Sequence, residues 1–162
     1  MVIKIICLIL TIIIIAMAIN IYEYRKQRKN TLIKFKVPMT LTGLPIVQVK
    51  SNGVDLNFLL DTGANISVID TNILSKLKYI KEDSISEVFG IEGNRQSVET
   101  VSIEFNKDTQ SYKDIFQVMD MSAPFGFVEI ESGIKIHGIL GNEFLAKYGY
   151  ILDFKNLEAY TK

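Results

Sequence analysis

The sequence predicts a mainly β domain, a small closed barrel with one or two short helices, preceded by a single transmembrane helix. Three observations lead there. Residues Ile5 to Tyr22 run 18 positions without a charge. Beyond about Leu32 the apolar residues come in short runs punctuated by Asn-Gly, Pro and Asp, the pattern of many short strands joined by tight turns. The chain has 162 residues, enough for one compact domain and a short extra segment.

As a helix the first run is about 27 Å long, close to the ~30 Å hydrocarbon core of a bilayer. Only Thr11 and Asn20 are clearly polar within it, so every face is apolar, unlike a surface amphipathic helix. Tyr22 and Tyr24 stand at its end, where interfacial aromatics are favoured. Residues 1–22 are therefore read as a membrane-spanning helix that meets the lipid bilayer through residues 5–22. Residues 23–34 read as a basic linker and residues 35–162 as the folded domain. A cleaved signal peptide is the rival reading, with Lys4, the apolar run to Ile15 and Ala16-Met17-Ala18 as its parts. Arg25, Lys26, Arg28 and Lys29 favour retention. They outweigh Lys4 and so place the domain of this single-pass protein on the cytoplasmic side.

The domain reads in order as follows. Leu44 to Lys50 and Val54 to Leu60 flank Ser51-Asn52-Gly53, a hairpin signal because Asn and Gly tolerate positive φ. Ile66 to Ile69 is a short strand, and Asp70 or Thr71 caps a brief helix through Leu77. Glu87 to Ile91 and Ser97 to Phe105 form a second hairpin around Glu92-Gly93-Asn94. Asn106 to Thr109 is a turn, Tyr112 to Met119 a strand, and Met121 to Phe127, with Pro124 and Gly126, a loop. Ile139-Leu140 is a short strand ending at Gly141, and Asn142 caps a helix to about Tyr148. Tyr150 to Phe154 and Leu157 to Tyr160 finish as strands.

Composition narrows the chemistry. The 18 basic and 18 acidic side chains cancel, without the basic surplus of a nucleic-acid binder. One cysteine excludes an intramolecular disulfide, and one cysteine with one histidine argues against a Cys/His zinc site. No G-x-S-x-G elbow is present. Carboxylates, hydroxyls, amines and backbone are left to do the work.

The most informative stretch is Phe58-Leu59-Leu60-Asp61-Thr62-Gly63-Ala64-Asn65-Ile66-Ser67-Val68-Ile69. A carboxylate follows three apolar residues and opens a tight turn, so Asp61 sits at the end of a buried strand beside a glycine that permits close backbone approach. Such an Asp is a candidate acid or base. About eighty residues on comes Gly138-Ile139-Leu140-Gly141-Asn142-Glu143-Phe144-Leu145.

Together these stretches resemble the retropepsin-like aspartic proteases across roughly residues 35–162. Asp61-Thr62-Gly63-Ala64 matches the D-T-G-A catalytic loop. Ile139-Leu140-Gly141 matches the hydrophobic-hydrophobic-Gly motif before the C-terminal helix, and Phe89-Gly90-Ile91-Glu92-Gly93 is similar to the flap. The resemblance implies the small closed barrel of the acid proteases. It implies Asp61 as catalytic carboxylate and Thr62 as a hydroxyl bracing two active-site loops. Gly63 and Ala64 would support the loop, Phe89 to Gly93 would close over the substrate, and Ile139, Leu140 and Gly141 would pack behind the loop. His137 stands where many relatives carry Asp and is read as a structural, hydrogen-bonded residue. The chemistry needs two carboxylates sharing one proton, and the chain has a single D-T-G, so the active species would be a homodimer pairing Asp61 with its copy. Leu157 to Lys162 would contribute to that interface. No metal and no cofactor is required, and the partner is a polypeptide substrate. Alanine at position 64 cannot donate a hydrogen bond to the carboxylate as a serine would. The expected optimum is therefore only mildly acidic, about pH 5 to 7.

Two other functions fit parts of this sequence. A retropepsin-like fold can serve as a catalytically silent peptide-binding or dimerisation module. Asp61-Thr62-Gly63 also occurs in nucleotide phosphate loops of the sugar-kinase and actin type, but the chain is short for that fold and lacks its second loop. Structural roles are assigned to Asp70 as a helix cap, Glu143 in a first helical turn and Asp153 as a hydrogen-bonding group.

Overall fold

The computed structural model describes residues 2–83, 86–89 and 95–161. It opens on α1 (Val2–Thr31), a helix of 30 residues. Its stretch Ile6–Lys26 is 21 residues long, unburied, and by length and composition able to cross a membrane. The basic segment expected as a linker is helical as far as Thr31, because Arg, Lys and Gln are good helix formers and nothing in it breaks the ladder.

Next come β1 (Ile33–Lys34) and a helix, α2 (Lys36–Thr42), in a stretch to which the sequence assigns no element. β2 (Ile46–Ser51) and β3 (Val54–Leu60) form the expected hairpin, with Ser51 opposite Val54. Asn52 and Gly53 both take positive φ, 48° and 85°, as a two-residue turn matched to strand twist demands. β4 (Ser67–Asp70) leads into α3 (Thr71–Leu74), whose N-cap is Asp70. β5 (Ile80–Lys81), β6 (Ser86–Phe89), β7 (Arg95–Val98), β8 (Thr100–Lys107) and β9 (Gln110–Met119) follow. The run Ser97 to Phe105, expected as one strand, is divided at Glu99. β7 pairs with β6, whereas β8 pairs with β9 along its whole length.

Met121 to Phe127 is not a loop. It begins α4 (Ser122–Ser132). Pro124 falls in the first turn, where a helix has no use for the missing N–H, and the Asp120 carboxylate accepts the Ser122 N–H at 2.9 Å. β10 (Gly138–Leu140), α5 (Asn142–Lys147), β11 (Tyr150–Asp153) and β12 (Glu158–Thr161) complete the chain.

The strands run β2-β3-β10-β4-β9-β8, and β8 pairs back onto β2 through Lys50 and Asn106, which closes a six-stranded barrel. Buried Ser51 secures the seam by donating its hydroxyl to the Glu104 carbonyl at 2.7 Å. Alternate residues of β3 (Leu56, Phe58, Leu60) and of β8 (Val101, Ile103, Phe105) point inward. There Phe58 stacks on Phe116 with ring centres 5.5 Å apart, and Phe105 lies 5.8 Å from Phe144 of α5. β12 lies in a separate sheet between β1 and β11.

Candidate active site

β3 and β10 run parallel at the heart of the barrel, with Leu60 beside Leu140. Apolar residues on both strands bury this pair, and where β3 ends its next residue is Asp61. The Asp61 N–H still reaches the Leu140 carbonyl at 3.1 Å, so the ladder anchors the backbone of the half-buried aspartate. Its Oδ1 accepts the Gly63 N–H at 2.8 Å, the turn bond expected of an Asp two residues before a glycine. Among the described residues Oδ2 accepts no hydrogen bond. Thr62 and Gly63 are exposed beside it, and the Thr62 hydroxyl likewise has no partner among the described residues.

The loop is gripped from behind. The Ala64 carbonyl accepts the Asn142 N–H at 2.7 Å, and the Asn65 carbonyl accepts the Glu143 N–H at 3.0 Å. These are two of the first N–H groups of α5, which a helix cannot satisfy internally. The loop carbonyls thus do the capping expected of Asn142, which is the first helical residue rather than the cap. Glu143 lies in the first turn and accepts a bond from Asn65 Nδ2 at 3.1 Å. Gly141 fills a spot where a Cβ would come within 2.8 Å of Ile66 backbone and 2.9 Å of the Ala64 carbonyl. A Cβ at Gly138 would stand 2.2 Å from the Val68 carbonyl. Ile139, Leu140 and Gly141 therefore lie against the Asp61 loop with no room for larger backbone neighbours.

Asp70 and Asp153 are engaged elsewhere. Asp70 is buried and accepts from Met121 N at 3.2 Å as well as from its own helix. Asp153 holds a turn, accepting from Lys155 N and Asn156 N, each at 3.0 Å. His137 is half-buried, and its Nδ1 accepts the Asn57 N–H at 3.0 Å. Burial, with Lys135 adding to it, holds its pKa below the usual imidazole value and so favours the neutral form that accepts this bond. No group of three or more His, Cys, Asp or Glu able to hold a metal occurs among the described residues.

Phe89 ends β6, and the flap residues Gly90, Ile91, Glu92 and Gly93 lie outside the described residues. Sequence reasoning missed Ser67 and Asp114, which sit behind the loop. The Ser67 hydroxyl donates to Asp114 Oδ2 at 2.6 Å and accepts the Gly141 N–H at 3.1 Å. The available signal was a lone hydroxyl in an otherwise apolar buried strand, where an unpartnered polar group would be costly.

A family model described as aspartyl protease matches residues 47–144, a span that includes both the Asp61 loop and Gly141. Among solved structures, the EIAV protease complexed with the inhibitor HBY-793 aligns at 27% identity over 68% of this chain and 93% of that one, with a TM-score of 0.49. No curated protein matches.

Proposed function

From the premise that the chain belongs to the aspartyl protease family, we propose that it is a membrane-anchored endopeptidase that acts as a homodimer. The observation that carries this reading is the Asp61 carboxylate, held at a strand end with Oδ1 bound to Gly63 N and Oδ2 without a partner among the described residues. A two-fold axis beside the loop brings Asp61 of each protomer together, one charged and one protonated. The charged carboxylate takes a proton from a water held between the two, and the resulting hydroxide attacks the scissile carbonyl carbon. The protonated carboxyl gives its proton to the carbonyl oxygen. Collapse of the tetrahedral species passes a proton to the departing amine nitrogen.

α1 supplies the anchor. Confinement to a membrane raises the concentration of one protomer near another and so favours the dimer. The basic residues after the span favour a cytoplasmic domain. Both edges of β12 are used within one chain, so a partner strand adding to this sheet would meet β1 or β11. Thr62, exposed beside Asp61, would brace the partner's loop through its hydroxyl. The flap, Phe89 to Gly93, would cover a polypeptide substrate.

The test is cleavage of a mixed peptide library between pH 4 and 8 by the full chain in lipid, wild type against Asp61→Asn. Cleavage by the wild type that vanishes in the variant supports the protease. A folded wild-type dimer that binds peptides but cuts none at any pH defeats it and leaves a peptide-binding module.

A further inference from the structure

We propose that Asp114 is a positioning residue for the Asp61 loop, acting through Ser67 and Gly141. The stretch from Leu140 to Glu143 carries the loop's backbone clamps. Leu140 O takes Asp61 N at 3.1 Å, Asn142 N gives to Ala64 O at 2.7 Å, and Glu143 N gives to Asn65 O at 3.0 Å. Gly141 sits at the centre of these clamps and is itself buried, so its N–H needs an acceptor. That acceptor is the Ser67 hydroxyl at 3.1 Å. A hydroxyl can turn either way, and Asp114 decides which. Its Oδ2 draws the Ser67 proton at 2.6 Å, which leaves a hydroxyl lone pair facing Gly141. A charged acceptor makes this bond short and strong and polarises the next one.

The surroundings of Asp114 pull in both directions. From α5, Lys147 Nζ stands 3.9 Å from Asp114 Oδ1, and Glu143 opposes it. β4 presents Ser67, and β8 presents apolar Ile103 opposite Asp114 in register. Burial pushes the Asp114 carboxyl above its ordinary value, with the bonds from Ser67 and the Ile115 backbone and the charge of Lys147 pulling the other way. Because the folded value is raised, stability linked to this group is greatest in acid and falls as pH rises through that value.

The kinetic part rests on the protease reading, and the structural part does not. The full chain in lipid is prepared as wild type, Asp114→Asn, Ser67→Ala, Ser67→Thr and the Ser67→Ala/Asp114→Asn double variant. Amide exchange at Gly141 is measured on each, together with kcat and KM from pH 4 to 8. Asp114→Asn should denature no earlier than wild type at pH 7, lose exchange protection at Gly141, and lower kcat by about 10-fold with KM within about twofold. It should also remove one ionisation from the acid limb. Ser67→Thr should retain activity. The double variant should be no worse than Ser67→Ala alone, because both changes break one path. Unchanged Gly141 protection in Asp114→Asn overturns the proposal, and so do losses that add in the double variant. If the wild type cleaves nothing, the protease reading fails and the exchange data alone decide whether Asp114 orders the loop.

Discussion

His137 accepts the backbone N–H of Asn57 through Nδ1 at 3.0 Å, joining residues 80 positions apart. Its own backbone doubles the tie, donating to Asn57 O at 2.8 Å and accepting from Asp70 N at 2.9 Å. The imidazole is thus a side-chain rung between β3 and the lead-in to β10, and the rung exists only while Nδ1 is unprotonated.

Acid should therefore loosen the domain at this point. Burial lowers the His137 pKa from 6.5, so the unfolded chain takes up its proton first. The linked stability is complete above about pH 6.5 and is lost as pH falls through the lower folded value. His137→Asn places a side-chain oxygen near the Nδ1 position and does not titrate. Its denaturation midpoint should vary less between pH 7 and 5 than that of wild type. His137→Ala leaves Asn57 N without its acceptor and should cost about 1–3 kcal/mol at pH 7. Parallel pH curves for wild type and His137→Asn would remove the imidazole from the argument.

Two glycines lie where neighbouring backbone cannot give way. Alanine at Gly138 would put Cβ 2.2 Å from Val68 O, and at Gly141 2.8 Å from Ile66 backbone. Each should cost more than about 3 kcal/mol, in the range reserved for steric and packing failures. Gly126, inside α4 with nothing within 4 Å, is the control. Gly126→Ala should stabilise by about 0.5–1 kcal/mol through helix propensity. Urea denaturation of the three variants checks the ranking, and tolerance of Gly138→Ala would show that β10 is not wedged as described.

The same local chemistry explains what could be read in the chain and what could not. The hairpin of β2 and β3 was legible because Asn52-Gly53 allows little else between two apolar runs. The loop carrying Asp61 was legible because a charged residue after Phe58-Leu59-Leu60 must sit at a strand end. α2 and α4 were hidden by the same device. Each carries a proline in its first turn, Pro38 and Pro124, and each ends on a glycine at φ 71°, Gly43 and Gly133. Proline and glycine read as loop when taken singly, whereas proline early and glycine just past the end mark a helix. The Ser67 to Asp114 bond joins β4 to β9 across 47 residues, and no local pattern announces such a pair.

If Asp61 is the carboxylate of the reaction, position 64 tests the expected mildly acidic optimum. Ala64 holds Asn142 N with its carbonyl, which a serine would keep. A serine hydroxyl would in addition donate to the charged carboxylate and favour it. Ala64→Ser should shift the acid limb of kcat/KM to lower pH while leaving the melting temperature within about 2 °C. A wild-type optimum below about pH 3.5, or an unmoved limb in Ala64→Ser, would contradict this account.

A Thr62 variant would separate folding of the protomer from assembly of the proposed dimer. Thr62 is exposed, and within the chain its hydroxyl meets no partner among the described residues, so Thr62→Val should change protomer stability by no more than about 0.5 kcal/mol. If the hydroxyl braces the partner's loop, the two-fold axis counts the loss twice. Two hydrogen bonds of about 1 kcal/mol each correspond to a dimer dissociation constant raised about 30-fold. Energy transfer between labelled protomers, followed as the protein is diluted in lipid, measures that constant directly. Activity should fall at low protein density and recover at high density, because the variant weakens pairing without touching the carboxylates. An unchanged constant would show that Thr62 does not brace the dimer. A loss of activity that high density cannot restore would place its hydroxyl in the chemistry instead.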